Sequence, residues 1–141
     1  NERERDGLLT LLKKRKLPMT LTIEDGRLRS TEQNRLQHLW AKEAAEQLGD
    51  RTPEEVRALC KLEIGVPILR AENEDFRAKY DAIIRPLPYA AKMAIMSEPL
   101  DLPVTRLMSV SQKTHYLDQM HRRLSEMGVE LTEPDPMEAA R

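Results

Sequence analysis

Leu36, Leu39, Trp40, Ala44 and Leu48 recur at a spacing that, at ~100° per residue, places all of them on one wide apolar face of a helix. That face needs partners, and other stretches supply them at the same period. Residues 4–15, "ERDGLLTLLKKR", align Leu8, Leu11 and Leu12, with Lys13, Lys14 and Arg15 closing the last turn, where cations suit the negative end of the helix dipole. In "DRTPEEVRALCKLEIG", Thr52 and Glu55 are spaced as a capping box, Pro53 suits the first helical position and Gly65 suits the exit. "VPIL" then reads as a short buried extended piece. "ENEDFRAKYDAIIRP" carries Phe76, Tyr80, Ile83 and Ile84 at helical spacing and stops at Pro86, and "PYAAKMAIM" supplies one short helix more. The last helix runs from about Ser111 to Met127, with Leu117, Met120, Leu124 and Met127 in register and Gly128 ending it.

One segment breaks the helical pattern. "PMTLTIEDGRLR" alternates, with Met19, Leu21 and Ile23 on one side, Thr20 and Thr22 on the other, and Asp25-Gly26 as a turn. It is the best strand in the chain, Pro18–Ile23. A lone strand leaves backbone groups unsatisfied, so its partner is expected upstream, around Val104–Leu107, or in a second subunit. The expected fold is therefore α+β, a mostly helical single domain with a small β-sheet over residues 1–131. An acidic, proline-containing tail follows over 132–141. A chain of 141 residues can bury a core of its own without metal or disulfide.

The single cysteine, Cys60, excludes an internal disulfide framework and reads as a small core hydrophobe on the apolar side of its helix. No run approaches the ~20 apolar residues of a membrane span, and "NERERDG" lacks the apolar core of a secretory signal, so a soluble, cytoplasmic protein is expected. Net charge is −1, but it is segregated: residues 1–42 hold ten Lys/Arg against six Asp/Glu. Such segregation fits one electropositive surface on a neutral or acidic body, or equally a set of lysine-rich solvated faces.

The stretch "RSTEQNRLQHLW", residues 29–40, concentrates the candidates. Ser30 and Gln33 are spaced as a capping box, which gives the serine and one amide structural work. Trp40 lies within the apolar face, where core packing competes with base stacking as its role. The opposite face carries Arg35, His38 and Lys42, with Asn34 beside them and Arg27 and Arg29 in the turn leading in. A cationic and amide ridge at a helix N-terminus, where backbone N–H groups are free, favours phosphate. A solvated face is the alternative.

Signs of catalysis are sparse. His38, His115 and His121 fall in two distant segments without zinc-ligand spacing, and five glycines form no GxxxxGK[ST], GxSxG or GxGxxG motif. Acidic neighbours such as Glu72, Glu74 and Asp75, or Glu133 and Asp135, sit at a helix start or in the tail, where solvation explains them. No catalytic residue, metal or cofactor is expected.

"RSTEQNRLQHLW", placed after a strand and before a long helix, resembles the R-S-x-x-Q-N-R segment of the phage NinB/Orf recombination-mediator family, which includes the YbcN-like prophage proteins. The C-terminal "PVTRLMSVSQKTHYLDQMHRRLSEMGVELTEPDP" is similar to that group's ending. The likeness is loose over residues 18–135 and sharp over 29–40. It implies a small α+β protein that dimerises, binds single-stranded DNA and single-strand-binding protein, and helps a recombinase to load. It extends the DNA-binding set to Arg29, Ser30, Gln33, Asn34 and Arg35, beside Arg27, His38 and Lys42 from the ridge. The expected function is a non-catalytic, single-stranded-DNA-binding accessory of phage or prophage recombination, tracking the backbone electrostatically, as a homodimer. The competing readings are an adaptor that meets a single-strand-binding or replication protein without touching DNA, and a nuclease.

Overall fold

The computed structural model describes residues 21–134, with side chains from 31 onward. Residues 36–133 form one compact unit, and the described residues before 36 belong to another. The chain runs through α1 (Leu21–Leu48), α2 (Pro53–Cys60), α3 (Val66–Glu72), α4 (Glu74–Lys79), α5 (Tyr89–Met96) and α6 (Val110–Glu126). A π-helical turn, Lys61–Gly65, joins α2 to α3, another, Tyr80–Ile84, extends α4, and a 3-10 turn spans Thr105–Leu107.

Among the described residues there is no strand, which corrects the expected α+β class to a helical one. Leu21–Ile23 lie in α1, and Asp25-Gly26 lies inside that helix rather than in a turn. Three alternating apolar positions are too few to fix a period, and a strand without a partner leaves its backbone groups unpaired, whereas a helix satisfies them within itself. The proposed partner, Val104–Leu107, is a 3-10 turn. Pro18–Thr20 and the helix read over 4–15 lie outside the described residues. The dimer expected from an uncovered strand edge loses that argument with the strand.

The second correction concerns the middle of the chain. Gly65 ends nothing: the N–H of Val66 reaches back five residues to the Lys61 carbonyl, and the helix continues as α3 through "VPIL". Pro67 has no N–H and its ring crowds the carbonyl four residues back. Opening the preceding turn to π geometry is what lets a helix pass through it. The result is one long central rod, apolar on both sides. Val56, Cys60, Ile64 and Ile68 face a core shared with Trp40, Ala44, Tyr116, Met120 and Leu124. Ala58, Leu62, Val66 and Leu69 face a second core with Tyr80, Met96 and Val104. A helix apolar on two faces is a buried one, and "VPIL" is apolar for that reason.

Local signals elsewhere act as read. Thr52 Oγ1 accepts from the N–H of Glu55 at 3.1 Å, and the Glu55 carboxylate accepts from the N–H of Thr52 at 2.9 Å. Ser109 and Gln112 form the same reciprocal box, one the sequence reading did not name, and start α6 at Val110 rather than at about Ser111. Gly128, at φ 93°, turns the chain out of α6 while Val129 N–H bonds back to the Leu124 carbonyl. The segment after it lies along α1. Gln47 donates to the Glu130 carbonyl and accepts from the Glu130 N–H, both at 2.7 Å, and Glu43 accepts from the N–H of Thr132 at 3.0 Å. No helix of the described residues is long and apolar enough to cross a membrane.

Candidate nucleic-acid interface

The expected ridge does not stand at a helix N-terminus. Arg27, Arg29, Ser30, Gln33, Asn34 and Arg35 all lie inside α1, so Ser30 is not an N-cap and the backbone N–H groups around it are spent within the helix. The anion-favouring end that the capping-box reading supplied is therefore absent from this stretch. Gln33 is buried rather than presented at the surface, while Asn34 and Arg35 are exposed. Arg35 is already engaged, donating from Nη2 to Glu32 at 2.9 Å and from Nε at 3.3 Å. The boundary between the two compact units falls after Arg35.

Within residues 36–133, His38 and Lys42 are exposed, one turn apart on α1. The structure adds two cations that the sequence reading did not place there, Arg57 from α2 and Lys113 from α6. Their charges act on His38: its imidazole is held below its ordinary value of 6.5, first by partial burial, then by Arg57, then by Lys113. Neither Lys42 nor Arg57 makes an ion pair with a described residue. Lys113 is buried at 6% exposure, and burial lowers its ammonium pKa. One signal of it was legible, because Lys113 shares the register of Leu117, Met120 and Leu124 and is the charged residue in an apolar stripe.

Trp40 packs as its register implied. It is 4% exposed, its indole N–H donates to the Thr132 carbonyl at 2.7 Å, and it meets the His121 ring edge-on with centroids 5.2 Å apart. That position serves packing and leaves no face for a base. Cys60 is also core, and burial pushes its thiol up to about 12.

Other polar groups are paired to each other. Glu63 accepts from the Tyr89 hydroxyl at 2.7 Å and from Arg123, and that bond is the chief reason the Tyr89 phenol is raised. Arg70 grips Asp81 with two bonds of 2.7 and 2.8 Å and holds its carboxyl below the usual range. Lys61, 3% exposed, donates to the Met96 carbonyl at 2.8 Å and to Asp101 at 2.5 Å. These contacts lock elements together. An open depression on α6, lined by Asp118, His121, Arg122, Ser125 and Glu126, carries both signs of charge. Among the described residues no group of three His, Cys, Asp or Glu could hold a metal ion.

No family model, no curated protein and no solved structure matches this chain.

Proposed function

We propose that the protein binds single-stranded DNA through a basic face on residues 36–133 and serves, without a covalent step, as an accessory of phage or prophage recombination. The observation that carries the reading is that Arg57 of α2 and Lys113 of α6 act on His38 of α1, with the exposed Lys42 one turn along α1, and that Lys42 and Arg57 are free of carboxylate partners among the described residues. Cations left without internal partners are suited to backbone phosphates, which supply most of the affinity in binding of low sequence preference. With Trp40 buried, stacking of bases on aromatic rings contributes little, so electrostatics dominates. The recombination context comes from the resemblance of residues 29–40 to the NinB/Orf segment.

Fluorescence anisotropy with a labelled ~20-nucleotide strand tests it, a length exceeding the ~4–16 nucleotides that small single-strand-binding folds cover. Three or four phosphate contacts give a log-log salt slope of roughly −2 to −3. Lys42→Ala and Arg57→Ala should each weaken binding, while Arg77→Ala, whose guanidinium faces Glu74, should not. Binding indifferent to salt, or unchanged by both face variants, removes the reading.

A second reading has one observation in its favour. Residues 36–133 hold 13 Lys/Arg against 16 Asp/Glu, so the basic face is a small island on an acidic body. An island of that kind suits a short acidic peptide, such as the tail of a single-strand-binding or replication protein, as well as it suits a strand. Binding of an acidic peptide with no retention of DNA would select the adaptor.

A further inference from the structure

Between Asp81 and Glu98 the chain has no carboxylate, although it holds 24 Asp and Glu in 141 residues. The same stretch carries two cations, Arg85 and Lys92. Ala82, Ile83, Pro86, Pro88, Tyr89 and Ala90 are all exposed, so an apolar run faces water from the π-helical turn Tyr80–Ile84 to the start of α5. Ile83 is 65% exposed and Tyr89 53%. Single exposed apolar side chains need no account, whereas a contiguous run rimmed by charge marks a contact surface. This run is held in one shape. Pro86 and Pro88 fix their own φ, the Leu87 N–H bonds the Ile84 carbonyl at 2.9 Å, and the Lys92 ammonium bonds the Arg85 carbonyl at 3.3 Å. Ile84 and Met93 pack against the second core and so anchor the turn from both ends. The Tyr89 hydroxyl is fastened to Glu63 at 2.7 Å, which leaves its exposed ring little freedom to lose on binding.

The charges at the rim select the partner. Asp81 gives both carboxylate oxygens to Arg70, at 2.7 and 2.8 Å, and meets Arg85 only at 3.5 Å. Glu63 is shared by Tyr89 and Arg123. One carboxylate thus serves two guanidiniums, and Lys92 spends its hydrogen bond on a carbonyl, which leaves positive charge in excess beside the apolar run. We propose that residues 82–92 form a docking surface for a short acidic segment of a partner protein. An apolar side chain of that segment seats against Ile83 and Tyr89 while its carboxylates meet Arg85 and Lys92. The Cα atoms of Ile83 and Tyr89, six positions apart, are separated by no more than ~21 Å, so about six extended residues cover the site. A bilayer is a poorer match, since lipid-binding basic clusters hold ~4–8 cations. A nucleic-acid strand is poorer also, because an isoleucine and two prolines offer bases neither hydrogen bonds nor a stacking ring. None of these residues belongs to the face around His38 and Lys42, so the surface stands whether or not the protein binds DNA.

The test uses the full chain and fluorescein-labelled peptides of ~10 residues, long enough to span the run. One alternates glutamate and leucine, one glutamate and glycine, and one lysine and leucine. Saturable anisotropy is expected for the first alone, weakening as salt is added. Ile83→Asp and Arg85→Ala should each weaken it about tenfold, as loss of a central anchor or of its charged neighbour does. The thermal midpoint should stay where it is, because both side chains are exposed. Lys42→Ala and Arg57→Ala should leave peptide binding unchanged. No saturable binding of the glutamate–leucine peptide, or equal binding of all three, overturns the surface. So does peptide binding that Lys42→Ala and Arg57→Ala abolish while Ile83→Asp and Arg85→Ala do not, which places the peptide on the His38 face instead. Phosphatidylserine vesicles and the labelled strand are run against the same variants. If Ile83→Asp releases either of them and the peptide does not bind, the occupant is a bilayer or a strand and the acidic-segment proposal is wrong. Peptide binding of the expected kind with no DNA binding supports the surface and rejects the strand reading alone.

Discussion

The indole N–H of Trp40 donates to the backbone carbonyl of Thr132 at 2.7 Å, joining α1 to the segment that follows α6 across 92 positions of sequence. That single bond, with the edge contact to His121, makes Trp40 both core and clasp. Trp40→Phe keeps much of the volume and loses the donor, so it should cost about 1–3 kcal/mol, against ~3–5 kcal/mol for Trp40→Ala. Urea midpoints measure both. As the chain has one tryptophan, its emission and acrylamide quenching also read the clasp directly. Gln47→Ala should increase quenching without unfolding the protein, and unchanged quenching would show that the Glu130 bonds do not hold the segment in place.

Lys61 and Asp101 form an asymmetric pair: the lysine is 3% exposed and the aspartate side chain 42%. Asp101→Asn leaves a buried ammonium with the Met96 carbonyl and no charge partner, and should destabilise by about 1–3 kcal/mol. Lys61→Met removes the buried charge itself and should cost less. The Lys61 bond holds the Asp101 carboxyl below its ordinary 3.8. A carboxyl with a folded pKa below its unfolded value contributes stability that is present above the unfolded value and lost as pH falls through the folded one. Acid titration of stability should therefore be shallower below pH ~4 in Asp101→Asn than in the parent.

Gly65 sits at a helical φ of −68°, where alanine would ordinarily stabilise by ~1 kcal/mol. A Cβ there would stand 2.7 Å from Val104 Cγ1, so the sign reverses. Gly65→Ala should destabilise by about 1–3 kcal/mol through overpacking. Adding Val104→Ala should recover part of that loss, a coupling that independent sites would not show. Stabilisation by Gly65→Ala alone would place the Val104 loop farther away than this structure does.

Cys60 is 2% exposed and its thiol is pushed up to about 12 by burial. Since the thiolate is the nucleophile, the native protein at pH 8 should be inert to a disulfide reagent such as Ellman's and should release one equivalent of colour only on unfolding. Rapid labelling of the native state would contradict a core position.

Two serine-glutamine pairs show where sequence suffices and where it does not. Ser30-x-x-Gln33 and Ser109-x-x-Gln112 carry the same local signal. Ser109 caps α6 because the extended Met108, after the 3-10 turn, breaks the helical path before it, whereas Ser30 lies within α1, whose helix already runs through the residues from Leu21 on. A capping box is satisfied within four residues, so its chemistry is legible locally; whether a helix begins there depends on the chain upstream. Thr52 with Glu55, the exit at Gly128, the register of α6 and the burial of Trp40 were all readable for the same reason, since each depends on neighbours within a turn or on one periodic face.

What lies beyond a turn was not readable. "VPIL" and Gly65 looked like an extended piece and an exit, yet they belong to a continuous helix apolar on both sides, and only the two cores packed against it make that pattern intelligible. Gly65 is needed for the close passage of Val104, 39 positions later, not for a turn. Charge segregation pointed to a basic surface, but its placement at residues 27–35 followed from a helix start that the fold does not have. Arg57 and Lys113 gather around His38 from helices distant in sequence, and no spacing along the chain encodes that meeting. Local hydrogen bonding and periodicity fixed the helices that were read correctly. Long-range packing decided which helices continue, which glycine is crowded and which cations share a face, because those outcomes depend on atoms that meet only after the chain has folded.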